Sequence, residues 1–119
     1  MDTRARRALA GLAASVLVLN PLAANAISCT GQIGYLGYDQ NRAVVIANGT
    51  NIHTICSSTA QGNFQINTTA CKGFYATLLV HRLAAKPVTI YYNDPALTSC
   101  SQIGSWSNQP SAYFIQMAD

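Results

Sequence analysis

Residues 67–92 read Asn-Thr-Thr-Ala-Cys-Lys-Gly-Phe-Tyr-Ala-Thr-Leu-Leu-Val-His-Arg-Leu-Ala-Ala-Lys-Pro-Val-Thr-Ile-Tyr-Tyr, and they decide the fold class. Asn67, Thr68 and Thr69 all carry side chains that can accept hydrogen bonds from the free amides at a helix start. Cys71, Phe74, Tyr75, Leu78 and Leu79 then recur at three- and four-residue spacing, with Leu83 alongside, while Lys72 and Arg82 can reach solvent. A helix is predicted from about residue 70 to 85, stopped by Lys86-Pro87. The pattern then switches to period two. Val88, Ile90 and Tyr92 fall on one face of a strand, and Thr89 and Tyr91 on the other. Tyr91 is therefore expected to face outward, and the helix to lie on a sheet.

The neighbouring segments supply that sheet. Residues 42–47 are a β-branched run, Asn48-Gly49 is the favoured pair for a two-residue type I′ turn, and residues 50–56 return. Upstream, residues 31–38 read as a first strand anchored by Ile33 and Leu36, with Gly34 and Gly37 as bulge positions. Residues 57–67 are rich in Ser, Gly and Asn and read as a loop whose buried candidates are Phe64 and Ile66. Asn93-Asp94-Pro95 is a turn, and residues 113–117 a last short strand. The chain is thus expected to be mainly β with one α-helix, as a small disulfide-bonded β-barrel.

The first 26 residues place this domain in a compartment. Arg4, Arg6 and Arg7 open the chain, residues 8–19 are apolar, and Ala24-Asn25-Ala26 supplies small residues at the end. This is the pattern of a secretory signal peptide cleaved near Ala26. The apolar run is too short to span a membrane, and no second run follows. Residues 27–119 are then a single exported domain, secreted or periplasmic, whose cysteines meet an oxidising environment.

Four cysteines allow three pairings. Cys56 ends the hairpin and Cys71 opens the helix on its core side, with a polar loop between them, which favours a Cys56–Cys71 bridge. Cys29 and Cys100 remain, and their bridge ties the start of the exported chain to the loop after the Val88 strand. Zinc is not expected, because the cysteines are 27, 15 and 29 residues apart with no closely spaced pair.

Composition excludes several functions. The full chain carries a formal charge of +3, but three of its cations lie in the leader. Beyond it, Arg42, Lys72, Arg82 and Lys86 face Asp39, Asp94 and Asp119. Four scattered cations cannot track a phosphate backbone, so nucleic acid is not an expected partner. Three isolated carboxylates do not make the flanking pair that glycosidases use. No Gly-x-Ser-x-Gly elbow occurs. His53 and Cys56 sit three residues apart on one strand, which points them to opposite faces, and His81 reads as a boundary histidine bonded to a backbone carbonyl. No catalytic residue and no cofactor are expected. The sequons at Asn48 and Asn67 each have a turn or capping explanation.

What stands in place of charge is aromatic and amide surface. Tyr35, Tyr38, Tyr91, Trp106 and Tyr113 are interleaved with Asn, Gln, Ser and Thr. Rings that stack on a pyranose beside groups that bond hydroxyls make a sugar-binding surface. Tyr35, Tyr91 and Trp106 are the candidate contacts.

The stretch Ala70-Cys71-Lys72-Gly73-Phe74-Tyr75-Ala76-Thr77-Leu78-Leu79, closing through Ala84-Ala85-Lys86 into Pro87-Val88-Thr89-Ile90-Tyr91-Tyr92, resembles the helix-to-strand segment of the B subunits of subtilase-type AB5 toxins. The hairpin with its terminal cysteine and the first strand lie in compatible order. The resemblance implies an OB-like fold, a pentameric homo-oligomer and binding of sialylated glycans. In those toxins a serine on the first strand contacts the sugar. Cys29 stands at that place here, and Thr30 carries the nearest hydroxyl, which adds Thr30 to the candidates. The expected function is non-catalytic binding of a glycan or a cell-surface protein. The competing expectation is a structural or protein-interaction module of the bacterial envelope with no glycan binding.

Overall fold

The computed structural model describes residues 27–117, so the expected leader and its cleavage site lie outside the described residues. Seven strands and one long helix follow in order: β1 (Ile27–Gly31), β2 (Tyr35–Tyr38), β3 (Ala43–Ala47), β4 (His53–Ser57), α1 (Thr68–Leu83), β5 (Val88–Tyr92), β6 (Ser107–Asn108) and β7 (Ala112–Gln116). A single 3-10 turn, Cys100–Gln102, precedes β6. The expected mainly β class with one helix stands. The strands form two sheets, β1-β5-β7 and β2-β3-β4-β6, which are not closed into one continuous barrel. All pairings are antiparallel except the short one between β4 and β6.

The expected first strand, 31–38, is divided. Residues 32–34 break it, with Ile33 buried among core residues, so β1 joins one sheet and β2 the other. The segment from Ile27 to Gly31 is the terminal strand that the Cys29 bridge is expected to hold, and it is distinct from β2. Its pattern is short but regular, with Cys29 inward and Ser28 and Thr30 exposed.

The helix begins where the capping residues predict. The Asn67 side chain accepts a hydrogen bond from the Ala70 amide at 2.8 Å, and the helix is closed by Ala85 in the left-handed region at φ 56°. Cys71, Leu78 and His81 are buried, and Phe74 and Tyr75 pack on the core. Tyr75 stacks on Tyr38 of β2 with ring centroids 4.5 Å apart, which fixes the helix across the second sheet. The apolar face is narrower than the spacing suggested. Leu79 and Leu83 are exposed, Leu83 at 80%, while His81 in the same last turns is buried, so the buried stripe runs through Cys71, Leu78 and His81 and leaves both leucines to its side. His81 bonds no carbonyl through Nδ1, which is buried without a partner.

Both disulfides form as expected, Cys56–Cys71 between β4 and α1 and Cys29–Cys100 between β1 and the 3-10 turn. Among the described residues no cysteine is free, and no helix is long and apolar enough to cross a membrane. These features are consistent with an extracellular or periplasmic protein. Closing loops of 15 and 71 residues contributes about 3 and 4 kcal/mol by chain entropy.

Between the sheets lies a seam with two buried polar links. The Asn48-Gly49 pair does not make a two-residue turn. Gly49 has φ 82° but Asn48 does not share the left-handed region that type I′ demands, and the connection runs to Ile52. Asn48 is instead buried, its amide nitrogen donating to the carbonyls of Cys29 at 2.9 Å and Val88 at 3.1 Å. A residue from the end of β3 thereby joins β1 and β5 of the other sheet. Gly31 permits this approach, since a Cβ there would lie 2.2 Å from the Asn48 carbonyl oxygen.

The second link is His53 on β4 with Tyr92 on β5. His53 Nδ1 is 2.8 Å from the Asn51 carbonyl, an acceptor, so this nitrogen carries the proton. Nε2 then accepts from the Tyr92 hydroxyl at 2.6 Å. Burial lowers the His53 pKa below the usual histidine range, with the Asn51 hydrogen bond opposing it, and pushes the Tyr92 phenol well above its ordinary value. The pair is neutral, and each sheet supplies one half.

Candidate functional site

The four sequence-predicted contacts fall into two groups on the outside of the molecule. Thr30 and Tyr91 share the outer face of the β1-β5-β7 sheet, where the register sets Ser28, Tyr91 and Phe114 in one row and Thr30, Thr89 and Gln116 in the next. The rest of each strand points inward, with Cys29, Ile90 and Ile115 in the core. Period-two alternation is the reason one face is apolar interior and the other carries hydroxyls and rings.

On this face the rings and polar groups are mutually fixed. The Thr30 and Thr89 hydroxyls share a hydrogen bond of 2.7 Å, and the Tyr91 hydroxyl donates to Gln116 Oε1 at 2.7 Å. Phe114 and Tyr113 stand 5.4 and 6.4 Å from Tyr91 by ring centroid. Both can approach because the register shifts between Tyr91 and Tyr92, so that β7 carries an extra residue there and presents two rings to one. Tyr113 and Phe114 remain 41% and 50% exposed. Alternation alone places Thr89 on the outer face with Tyr91, whereas no motif in the sequence marks Phe114 or Gln116 as part of this face. The alternation of Tyr113, Phe114 and Ile115 could have pointed to Phe114, but only the strand pairing sets it beside Tyr91.

Tyr35 and Trp106 form the second group. Their rings meet edge to face at 81°, centroids 5.7 Å apart, and Trp106 is 64% exposed. Tyr35 leans on Gly37, where an added Cβ would lie 3.1 Å from its ring. Trp106 occupies the left-handed region at φ 60°, a conformation that costs an ordinary L-residue about 1 kcal/mol or more. It is held there from both sides. The Trp106 amide donates to the Ile52 carbonyl at 2.5 Å and the Gln109 amide to Thr54 at 2.9 Å. The Ser107 hydroxyl donates to Gly104 at 2.6 Å, and the Asn51 amide side chain to Ile103 at 2.8 Å. Ile103 is fully buried, so the loop is anchored in the core and its largest side chain is turned out.

No hydrogen bond or ring contact joins the two groups among the described residues. The histidines do not enter either. His53 is engaged in the seam, and His81 is buried in the helix. Among the described residues no group of three His, Cys, Asp or Glu side chains could hold a metal ion. What the outer faces offer chemically is stacking, and hydrogen bonding to neutral hydroxyl or amide groups. Searches of protein-family models, curated proteins and solved structures find no match to this chain.

Proposed function

We propose that the protein is an exported, non-catalytic binding module whose ligand is a carbohydrate, taken up on the outer face of the β1-β5-β7 sheet. The reading rests on one observation: Tyr91, Tyr113 and Phe114 crowd one end of that face while the hydroxyls of Thr30 and Thr89 and the amide of Gln116 occupy the other. A pyranose has an apolar face and a rim of hydroxyls, and this surface offers the complement of each. The likeness of the helix-to-strand segment to AB5 toxin B subunits agrees with it, and a pentameric ring would repeat the face around one axis. Equilibrium binding on a glycan array tests the proposal. Saturable binding weakened at least tenfold by Tyr91→Ser is expected, and no saturable sugar binding by the folded protein would refute it.

A protein-interaction role in the envelope is the second reading, favoured by one feature. Leu79, Val80 and Leu83 leave an exposed apolar strip on the last turns of α1. Size measurement across a concentration range tests it, since a contact made through this strip is weakened by Leu83→Glu.

A further inference from the structure

We infer that the Tyr35–Trp106 corner is a second saccharide site, separate from the sheet face, and that it takes a neutral sugar ring against the indole of Trp106. The inference rests on the carbohydrate reading above and extends it to another part of the molecule.

Three observations converge here. The first is the cost of the arrangement. A bulky residue in left-handed backbone is an outlier, and such positions persist only when the surroundings over-determine them. Here the Ile52, Thr54, Gly104 and Ile103 hydrogen bonds do so, yet the side chain thus positioned ends largely in solvent. Folding does not account for a strained tryptophan that buries so little of itself. The second is shape. Tyr35 meets Trp106 edge to face, so the two rings stand nearly at right angles, which suits one to stack on the C–H face of a pyranose and the other to turn a phenol hydroxyl toward its rim.

The third is charge. The segments that build the corner are 31–38, 43–58 and 99–116, and none contains Asp, Glu, Lys or Arg. The one titratable imidazole among them, His53, is buried and neutral. These segments bring no cation to repay the desolvation of a phosphate, a sulfate or a sialic acid carboxylate. Neutral hexoses and N-acetylhexosamines lack that penalty, which sets the ligand class.

The chain holds a single tryptophan, so its intrinsic emission reports on this corner alone. The experiment titrates the folded protein with lactose, maltose, cellobiose and chitobiose, and with 3′-sialyllactose as the charged comparator, following Trp106 emission and heat together. A saturable emission shift is expected with at least one neutral disaccharide, preserved in Tyr91→Ser. Calorimetry of Trp106→Ala should lose that event tenfold or more, while Trp106→Phe retains most of it. Binding seen by heat, abolished by Tyr91→Ser, with unchanged Trp106 emission would overturn the second site and leave the first. An emission response to sialyllactose alone would overturn the neutral class. Absence of any heat or emission change with every sugar, in a protein with intact circular dichroism, would overturn both the corner and the sheet-face reading.

Discussion

The seam between the sheets and the Tyr35–Trp106 corner both hold side chains in demanding positions, and they end differently. In the seam each polar group of the links closes on another: the Asn48 amide on two carbonyls, His53 on Asn51 and Tyr92. Nothing there is left to bind a ligand, and removal of any member strands a partner away from water. At the corner the backbone is equally pinned, but the rings it positions finish in solvent. The seam and the disulfides therefore add to the stability of the apolar core, and recognition falls to the exposed rings. Substitutions should separate the two.

The largest losses belong to the interior. Replacing Cys29 and Cys100 together by Ser should cost about 4 kcal/mol in denaturant unfolding, against about 3 kcal/mol for the Cys56, Cys71 pair. A reversed order would mean that the loop entropies do not govern. Gly31→Ala comes next, at about 3 kcal/mol, because its Cβ meets backbone rather than a movable side chain. A wild-type melting curve for this variant would show that β1 can part from the Asn48 turn.

Smaller effects follow from the imidazole link. Tyr92→Phe leaves His53 Nε2 without its donor and should cost about 1 to 2 kcal/mol at neutral pH. Wild-type stability has a pH signature of definite sign. The folded His53 pKa lies below the unfolded value, so the unfolded chain takes up the proton first. Stability is complete above about pH 6.5 and falls with acidification from there until the folded imidazole itself protonates. Chemical denaturation at pH 8 and pH 5 reads this, and His53→Gln should flatten that part of the profile. Stability that rose on acidification through this window would contradict a neutral, buried His53.

The residues that announced themselves in the sequence are those whose structure is set locally. The Asn67 cap, the Val88-Thr89-Ile90-Tyr91-Tyr92 alternation and the Asp94 turn each depend on a few neighbours, as the Asp94 carbonyl accepting from Leu97 illustrates. The Cys56–Cys71 pairing was legible because it joins a hairpin end to a helix start whose order was clear, and Cys29–Cys100 then followed as the remaining pair. Asn48-Gly49 misled because its turn propensity is local, whereas the amide is claimed by two carbonyls of the opposite sheet. Leu79 and Leu83 have the spacing of the core side, but which stripe of the helix is covered is decided by the packing of Cys71, Leu78 and His81, a tertiary property. At the candidate sites the residue types were visible and the groupings were not. Thr30 with Tyr91, and Tyr35 with Trp106, come together only through strand register and the parallel β4–β6 pairing.

The separation of stability from recognition is tested most directly by Trp106→Gly, with unfolding free energy and saccharide affinity measured on the same preparation. Glycine accepts the left-handed backbone without strain and removes a largely exposed ring together with its edge contact to Tyr35. Stability within about 1 kcal/mol of wild type is expected, since relieved strain offsets added chain entropy, together with loss of neutral-sugar binding at the corner. A variant destabilised by several kcal/mol with sugar binding intact would contradict it, making Trp106 a structural residue and the corner no site at all.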